Sequence, residues 1–392
     1  MQGSVVLDVI LVVLLLASLG AGYRSGLIGS ISGILGLVAG AVAAYFLVPQ
    51  VPTWVPAAEW RTPASIAAAL LLVIAGLTIG ESIGLALRRR TPRKLRGVDR
   101  LFGAAIGVAA AAAVMSMVAF SVGALGIPLL SSAIASSGVV RTIDSVTPVP
   151  VKSFLAQLRS TVVDDGLPLI ADAFGGQSPT LPDAQLDSAA LDTAAASVLR
   201  ITGNAVACGQ SQSGSGFVIA PERVMTNAHV VAGVTEAVVE VPGAGALTGE
   251  IVYFDPIDDL AVINVPGLEA APLALQGNLA VDSEAVSLGY PFGGPFDSDP
   301  ARVMSVSTQL VADIYGQSPS PRSVYTLAAD VQQGESGGPL LSVDGQVAGV
   351  IFAKAATTEN VGYALAMEEV APVVDQAGAL TGQVSSGECI QG

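Results

Sequence analysis

The sequence predicts two structural classes in one chain: a four-helix transmembrane module followed by an all-β domain. Three observations lead to this prediction. Four long apolar runs occupy the first third of the 392 residues, short apolar runs separated by Gly, Pro, Asn and Asp occupy the last half, and a stretch rich in Ser, Ala, Pro and Asp lies between them. We therefore expect a membrane domain at residues 1–130, a linker at 131–193 and an all-β domain at 194–392.

The four apolar runs cover residues 5–21, 27–48, 64–87 and 101–126. Each is about long enough to cross a bilayer as a helix. Small residues recur inside them, for example Gly33, Gly36 and Gly40, and small residues let transmembrane helices approach closely. No basic region precedes the first run, and Arg24 directly follows it, which argues against a cleaved signal peptide. The predicted partner of this part of the chain is the lipid bilayer.

Loop charges predict the orientation in the membrane. The connection between the third and fourth runs holds seven Lys and Arg residues between 88 and 100, the first connection holds Arg24, and the second holds only Arg61. Basic loops favour the cytoplasmic side. We therefore expect a multi-pass protein of the cell (inner) membrane with both termini outside, so that the linker and the all-β domain are extracytoplasmic or periplasmic.

The all-β domain is strongly acidic. Residues 190–392 carry five basic and 22 acidic side chains, so the domain repels a phosphate backbone and nucleic acid is not an expected partner. The two cysteines, Cys208 and Cys389, lie near its two ends. Outside the cytoplasm such a pair favours a disulfide, whereas buried thiols are the alternative.

The linker, with Pro148, Pro150, Pro168, Pro179 and Pro182, is expected to be a mostly extended tether that proteases can reach. The exception is a short amphipathic helix within residues 151–163.

Closely spaced short strands in the last half predict a sandwich or a barrel. An Asp-Gly pair at 344–345 predicts a hairpin, and residues 367–376 are the one late helix candidate. The predicted strands are 197–201, 218–220, 237–241, 249–254, 260–265, 285–289, 303–311, 323–328, 340–343 and 346–352.

A serine nucleophile is predicted at Ser336, which stands in the run Gly334-Glu335-Ser336-Gly337-Gly338-Pro339. A serine hydroxyl needs a general base, and a carboxylate usually orients that base. The chain has a single histidine, His229. Three aspartates are candidates for the carboxylate, and Asp259 is preferred because it directly precedes an apolar strand. The other two, Asp255 and Asp258, are expected to make turn contacts around Pro256.

Two family resemblances follow from the motifs. Four blocks, at residues 214–217, 226–229, 258–262 and 334–339, resemble the chymotrypsin-like serine proteases, especially their compact bacterial branch, in the order His, Asp, Ser. The Leu7-Asp8 start and the turn at residues 22–28 resemble the colicin V production protein family over about residues 1–130. The whole chain is similar to the membrane-anchored periplasmic serine proteases of actinobacteria that are linked to acid resistance.

The resemblance implies a double β-barrel and a catalytic triad of Ser336, His229 and Asp259. The backbone N–H groups of Gly334 and Ser336 would bind the oxyanion, and neither a cofactor nor a metal is expected. The sequence departs from the family at Glu335, where Asp or Asn is usual.

The primary pocket is implied by position. Its base would be Asp330, six residues before the nucleophile, and Val350 and Phe352 would line the opposite wall, with residues 360–365 closing the pocket. An acid at the base would favour a basic substrate residue, whereas the alternative is that Asp330 is a strand-end residue beside a differently shaped pocket.

These features predict a membrane-tethered extracytoplasmic serine endopeptidase that cleaves proteins or peptides of the cell envelope, with a role in the acid or oxidative stress response. Two alternatives stay open on the sequence. The four-span module is also compatible with a transporter or channel that uses the β-domain as a sensor, and Glu335 is compatible with a catalytically silent binding domain.

Overall fold

The computed structural model describes residues 2–54, 61–88, 96–123, 130, 133–134, 136–160, 167–170, 178–183, 188–205, 210–242 and 244–390. The chain divides into two compact units, one formed by Val6–Ser116 and the other by Met117–Gly392 together with the first five residues. Each unit has its own architecture.

The smaller unit is helical. Its main helices are α1 (Gln2–Leu47), α3 (Arg61–Arg88) and α4 (Arg96–Gly123), and a 3-10 turn (Val48–Gln50) leads into the short α2 (Val51–Trp54). Apolar stretches long enough to cross a membrane cover Ser4–Leu47, Leu70–Arg88 and Arg96–Ala119. At Gly26, φ is 70° and ψ is 177°, so α1 is two helices joined by a break. The four predicted apolar segments are therefore confirmed, with the first two continuous in sequence.

Glycines set the distance between these helices. A side chain at Gly36 or Gly40 would overlap with the backbone of α3, and one at Gly22 would overlap with the carbonyl of Gly103 in α4. Close backbone approach through small residues is the usual way in which apolar helices pack in a membrane, where burial from water supplies no driving force. One ion pair adds to this packing, since Asp99 accepts a hydrogen bond from Arg88 Nε at 2.7 Å.

The larger unit contains a first, closed β-barrel. Its core includes Leu199, Ile201, Val239 and Ile263, which are fully buried. The barrel has the strand order β2-β3-β4-β7-β6-β5. The strands are β2 (Val198–Ala205), β3 (Gln210–Ala220), β4 (Arg223–Thr226), β5 (Ala237–Val241), β6 (Gly245–Asp255) and β7 (Leu260–Asn264).

A second barrel follows in the chain. Its strand order is β12-β11-β8-β9-β10-β13, and pairing of β12 with β13 closes the ring. The helix α9 (Met367–Gln376) follows the last strand. The strands are β8 (Glu284–Gly289), β9 (Asp297–Val311), β10 (Ser320–Ala328), β11 (Pro339–Ser342), β12 (Val347–Ala355) and β13 (Val361–Ala366). The predicted all-β double barrel, the hairpin at 344–345 and the late helix are confirmed.

Two barrel strands were missing from the sequence prediction. Both β4 and β13 are buried along their whole length, so neither shows the alternation that marks a half-buried strand. In addition, β4 contains Arg223, whose guanidinium donates to the carbonyl of Leu380 at 2.9 Å and to the side chain of Asn264.

The linker is more structured than the sequence predicted. One helix, α6 (Val149–Ser160), overlaps the helix predicted within residues 151–163. The linker also contains α5 (Gly138–Val146), the two-residue strand β1 (Leu169–Ile170) and α7 (Ala189–Ala195). Serine caps explain two of these helices. Ser137 Oγ accepts the N–H of Val140 at 3.1 Å, and Ser188 Oγ accepts the N–H of Leu191 at 3.1 Å. The expected tether is thus only partly extended.

Candidate active site

His229 lies in a one-turn helix between strands β4 and β5 of the first barrel. Strand β4 ends at Thr226, Asn227 is the N-cap residue, and α8 (Ala228–Val231) carries the histidine. The other residues of this helix, Ala228, Val230 and Val231, are buried, and His229 is only 5% exposed. The side chain is therefore oriented by the fold, with little freedom to rotate toward solvent.

Asp259 faces His229 from the entrance of β7. Its Oδ2 lies 2.8 Å from His229 Nδ1, and its Oδ1 accepts the backbone N–H of His229 at 2.9 Å. Asn227 Nδ2 donates to the backbone carbonyl of Asp259 at 2.8 Å. Asp259 has a φ of 55°, which aspartate tolerates better than most residues. A ring nitrogen bound to a carboxylate carries the proton, so Nε2 of a neutral His229 is the acceptor.

The other two candidate aspartates do not approach the ring. Asp255 Oδ1 accepts the backbone N–H groups of Ile257 at 2.8 Å and Asp258 at 3.1 Å, which closes the turn before β7. Asp258 is half-buried, and its pKa is raised by burial and by the neighbouring charge of Asp255. The structure thus separates Asp259 from its two neighbours.

Ser336 stands in a turn that requires glycine on both sides. Gly334 has a φ of 91° and Gly337 a φ of 83°, a region that L side chains rarely adopt. A side chain at Gly334 would also overlap with the carbonyl oxygen of Tyr290, and one at Gly337 would overlap with that of Ser215. Ser336 itself is only 3% exposed. The glycines seen in the sequence are therefore needed for both conformation and space.

The backbone around Ser336 presents two N–H groups. Phe292 donates its N–H to the carbonyl of Gln333, and in a trans peptide this turns the N–H of Gly334 to the opposite side. Within the described part of the chain, the N–H groups of Gly334 and Ser336 donate to no protein acceptor. Such donors fit an oxyanion.

Ser215 ties this turn to the loop before it. Its Oγ donates to the carbonyl of Gly334 at 2.7 Å and accepts the N–H of Tyr290 at 2.9 Å, and its backbone N–H donates to the carbonyl of Ser336 at 2.8 Å. Sequence reasoning used the Gly-Ser-Gly block only as a family motif. The sequence signal for this serine is its position between two glycines, Gly214 and Gly216, within one strand.

Among the described residues, the hydrogen bonds of the His229 ring go to Asp259, and none joins the ring to Ser336 Oγ. Catalytic hydrogen bonds are often long without substrate and tighten when it binds. The arrangement is thus compatible with a site that closes on its substrate.

The three implied pocket residues differ in environment. Asp330 is exposed and accepts a hydrogen bond from Gln332 Nε2 at 2.6 Å. Val350 and Phe352 lie on β12 and are almost fully buried in an apolar cluster to which both barrels contribute. Asp330 therefore has the surroundings of a solvated strand-end residue, and these three positions remain predictions for the pocket.

Glu335 is the unexpected feature of the turn. Glu335 is 2% exposed, its Oε2 accepts the backbone N–H of Gln332 at 3.0 Å, and its carboxyl group lies beside that of Asp299. Burial, followed by the charge of Asp299, raises the pKa of Glu335 well above its ordinary value. Burial likewise raises the pKa of Asp299 to about 6.

The predicted disulfide falls partly outside the described residues. Cys208 is not among them, whereas Cys389 does not occur as a free thiol. The C-terminal tail that carries Cys389 lies against the segment after α8, where the N–H of Gly233 donates to the carbonyl of Ser386 at 3.0 Å. The pairing itself remains a proposal.

Comparisons with known proteins agree with this architecture. Residues 214–350 match the trypsin-like peptidase domain, and residues 7–148 match the colicin V production protein family. The chain is 34% identical over 386 residues to the serine protease Rv3671c of Mycobacterium tuberculosis strain H37Rv, which covers 94% of this chain and 95% of that protein. It is 26% identical over 268 residues to the putative serine protease HhoA of Synechocystis, which covers 67% of this chain and 59% of that protein.

A solved structure supports the fold. The crystal structure of the Rv3671c protease in its active form matches with a TM-score of 0.51 and 38% identity, covering 57% of this chain and 100% of that chain. The double barrel defines a trypsin-like serine protease, here joined to an apolar helical unit. The chain belongs to the family of serine protease Rv3671c, and it is a membrane-associated serine protease.

Proposed function

We propose that this protein is a membrane-tethered extracytoplasmic endopeptidase that cleaves proteins of the cell envelope with a triad of His229, Asp259 and Ser336. The observation that carries the proposal is the double hydrogen bond of Asp259 to His229 beside the glycine-lined turn of Ser336. The relative Rv3671c, named a serine protease, supports the reaction class.

The geometry supports a defined role for each group. Ser336 Oγ attacks the scissile carbonyl while Nε2 of His229 takes its proton and later donates it to the leaving amine. Asp259 holds the Nδ1–H tautomer and stabilises the imidazolium that forms. The N–H groups of Gly334 and Ser336 bind the oxyanion, a contribution for which one donor is typically worth about 100-fold or more in kcat.

The remaining parts of the proposal concern location. The excess of Lys and Arg between residues 88 and 100 supports a cytoplasmic loop there and, with it, an extracytoplasmic protease unit. In that compartment we propose a disulfide between Cys208 and Cys389, supported by the absence of a free thiol among the described residues. A role in acid or oxidative stress is part of the same proposal.

The test uses the full chain in detergent. A fluorophosphonate probe should label the unmodified protein and leave Ser336→Ala unlabelled, and membranes that carry Ser336→Ala should no longer cleave the envelope proteins that the unmodified protein cleaves. Equal labelling of both proteins, or unchanged cleavage, would contradict the proposal. Loss of the label would also separate an active protease from a silent binding domain.

A further inference from the structure

Glu335 closes a ring of hydrogen bonds around the oxyanion turn. Its backbone N–H donates to the carbonyl of Gln332 at 3.2 Å, while its side-chain Oε2 accepts the N–H of the same Gln332 at 3.0 Å. Its carbonyl accepts the N–H of Gly338 at 2.8 Å. Two hydrogen bonds therefore join Glu335 to Gln332 and enclose Gln333 and Gly334 between them. The conformation of Gly334 thus depends on the position of the Glu335 side chain.

A second acid lies beside this side chain. Asp299 lies on β9, opposite Ser287 of β8, and its carboxyl group is a close neighbour of that of Glu335. Two ionised carboxylates have no hydrogen to share, because a carboxylate only accepts. A direct hydrogen bond between these two groups therefore requires that one of them carries a proton.

The surroundings favour that neutral form. Asp297 on β9 faces Glu335, Asp297 and Asp330 face Asp299, and each adds negative charge. Strand β8 contributes Gly289, where a side chain would come within 3.1 Å of the Glu335 Cα. Among the described residues, no Lys or Arg forms an ion pair with Glu335. Burial without a cation penalises a charged carboxyl group.

We infer that Glu335 and Asp299 share one proton and that this shared hydrogen bond positions the Gly334 N–H for the oxyanion. Glu335 is the donor and Asp299 the acceptor, and both are positioning residues that do not touch the substrate. The inference rests on the proposed function and adds to it a dependence on pH. Loss of the shared proton would place two charges side by side in a buried turn and force Glu335 away from Gln332.

The direction of the pH effect follows from the raised pKa of both carboxyl groups. Each holds its proton more tightly in the folded chain than in the unfolded chain, where the value is about 4. The contribution to folding is complete at low pH and is lost as the pH rises from about 4 through the folded-state pKa, which for Asp299 is about 6. The oxyanion site should weaken when Glu335, the donor of the pair, loses its proton.

The test compares the full chain with Glu335→Gln, both in the Ser336→Ala background. Glutamine keeps a donor for Asp299 and an acceptor for Gln332 but cannot ionise, so the fall in melting temperature between pH 5 and pH 8 should be clearly smaller in the variant. This readout needs no catalysis. Equal pH dependence in the two proteins would overturn the shared proton.

A second test measures peptide hydrolysis in Glu335 variants that keep Ser336. Glu335→Ala should lower kcat by roughly 100-fold, the effect of losing one oxyanion donor, with little change in KM, and Glu335→Gln should restore kcat. An unchanged kcat in Glu335→Ala would overturn the positioning role. Failure of the proposed function has a different signature, since the unmodified protein would then not react with a fluorophosphonate.

We infer separately that the linker covers part of the edge along which a substrate would bind. On β12, Ile351 exchanges hydrogen bonds with the turn after Ser336: its carbonyl accepts the N–H of Gly337 at 2.8 Å, and its N–H donates to the carbonyl of Gly338 at 2.9 Å. The pairing of β11 with β12 ends at Val350. Further along β12, the strand β1 pairs with it, with Leu169 opposite Lys354 and Ile170 opposite Ala355. Extended peptides are commonly bound by adding a strand to such an edge.

Three contacts hold the linker in this place. Lys354 donates its N–H to the carbonyl of Pro168 at 3.2 Å, and Leu167 is buried in the core below β12. Ala156 of α6 packs against Gly294, directly after the loop that contacts Gln333. The edge leading away from the nucleophile is thus occupied by the chain itself, so a substrate has to displace β1. This inference also rests on the proposed function.

Two leucines two residues apart provide a matched test in the full chain. Leu167 is 8% exposed and anchors the linker segment that contains β1, whereas Leu169 is 61% exposed. Leu167→Ala should raise kcat/KM for a long peptide several-fold, and Leu169→Ala should leave it unchanged. Fluorophosphonate labelling, which needs only Ser336, should be equal in all three proteins. Equal peptide hydrolysis in the two variants, with normal labelling, would overturn the inference, whereas absent labelling would count against the proposed function itself.

Discussion

Asp259 binds His229 at two points, because its carboxylate accepts both the ring Nδ1–H at 2.8 Å and the backbone N–H at 2.9 Å. Rotation of the imidazole would break the first bond while the second keeps the carboxylate in place. The orientation of the imidazole is therefore built into the first barrel.

Replacing this carboxylate should stop the reaction without unfolding the protein. In Asp259→Asn the amide no longer selects the productive tautomer of His229, and we expect kcat to fall by about 10⁴-fold. Asp258→Asn removes a charge one residue away and should change kcat by less than about twofold, which steady-state peptide hydrolysis would measure. Similar losses in both variants would indicate a general effect of charge instead.

Gly334 should not tolerate a side chain. Gly334→Ala places a β-carbon against the carbonyl of Tyr290 at a φ of 91°, so we expect a loss of stability of about 2 kcal/mol and a fall in kcat of about 100-fold. Gly378 is the control, because a β-carbon added there would meet nothing within 4 Å, and Gly378→Ala should match the unmodified protein in urea midpoint and kcat. A normal kcat in Gly334→Ala would exclude this turn from the oxyanion site.

Ser215 should matter more than its neighbour Ser213 on the same strand. Ser215→Ala leaves the Gly334 carbonyl and the Tyr290 N–H buried without their partner, at a cost of about 1–3 kcal/mol each, and should lower kcat as the turn relaxes. Ser213 is 5% exposed, and among the described residues its Oγ has no partner, so Ser213→Ala should be close to neutral. Chemical denaturation together with kcat would compare the two, and equal effects would count against the role of Ser215.

The membrane unit should depend on its glycine contacts. Gly36→Ala puts a methyl group against the carbonyl of Gly76 and should destabilise the unit by about 1–3 kcal/mol, seen as a lower unfolding temperature of the full chain in detergent. Gly20 has no neighbour within 4 Å, so Gly20→Ala should leave that temperature unchanged. The prediction is wrong if both variants unfold alike.

Local patterns were sufficient for much of the architecture. The apolar runs, the strand spacing and the single histidine can all be identified from the sequence. The strand β5 and the helix α9 occur with the bounds that the sequence predicted. Asp259 was separable from Asp255 and Asp258 because it alone directly precedes a buried strand. Fully buried β4 and β13, and the docked linker, were not readable, since their order comes from contacts with distant segments.

The sequence by itself determined the two-part organisation, the double-barrel class and the residues available for catalysis, because these depend on periodicity, composition and short motifs. Only the tertiary structure brought Asp299 to Glu335, Ser215 to Gly334 and β1 to β12. Each of these contacts joins segments that are at least about 36 residues apart, and their energies depend on burial and on the direction of individual hydrogen bonds. Glu335 shows the difference most clearly. The sequence shows only that it departs from a family motif, whereas the structure shows that its buried carboxyl group lies beside that of Asp299.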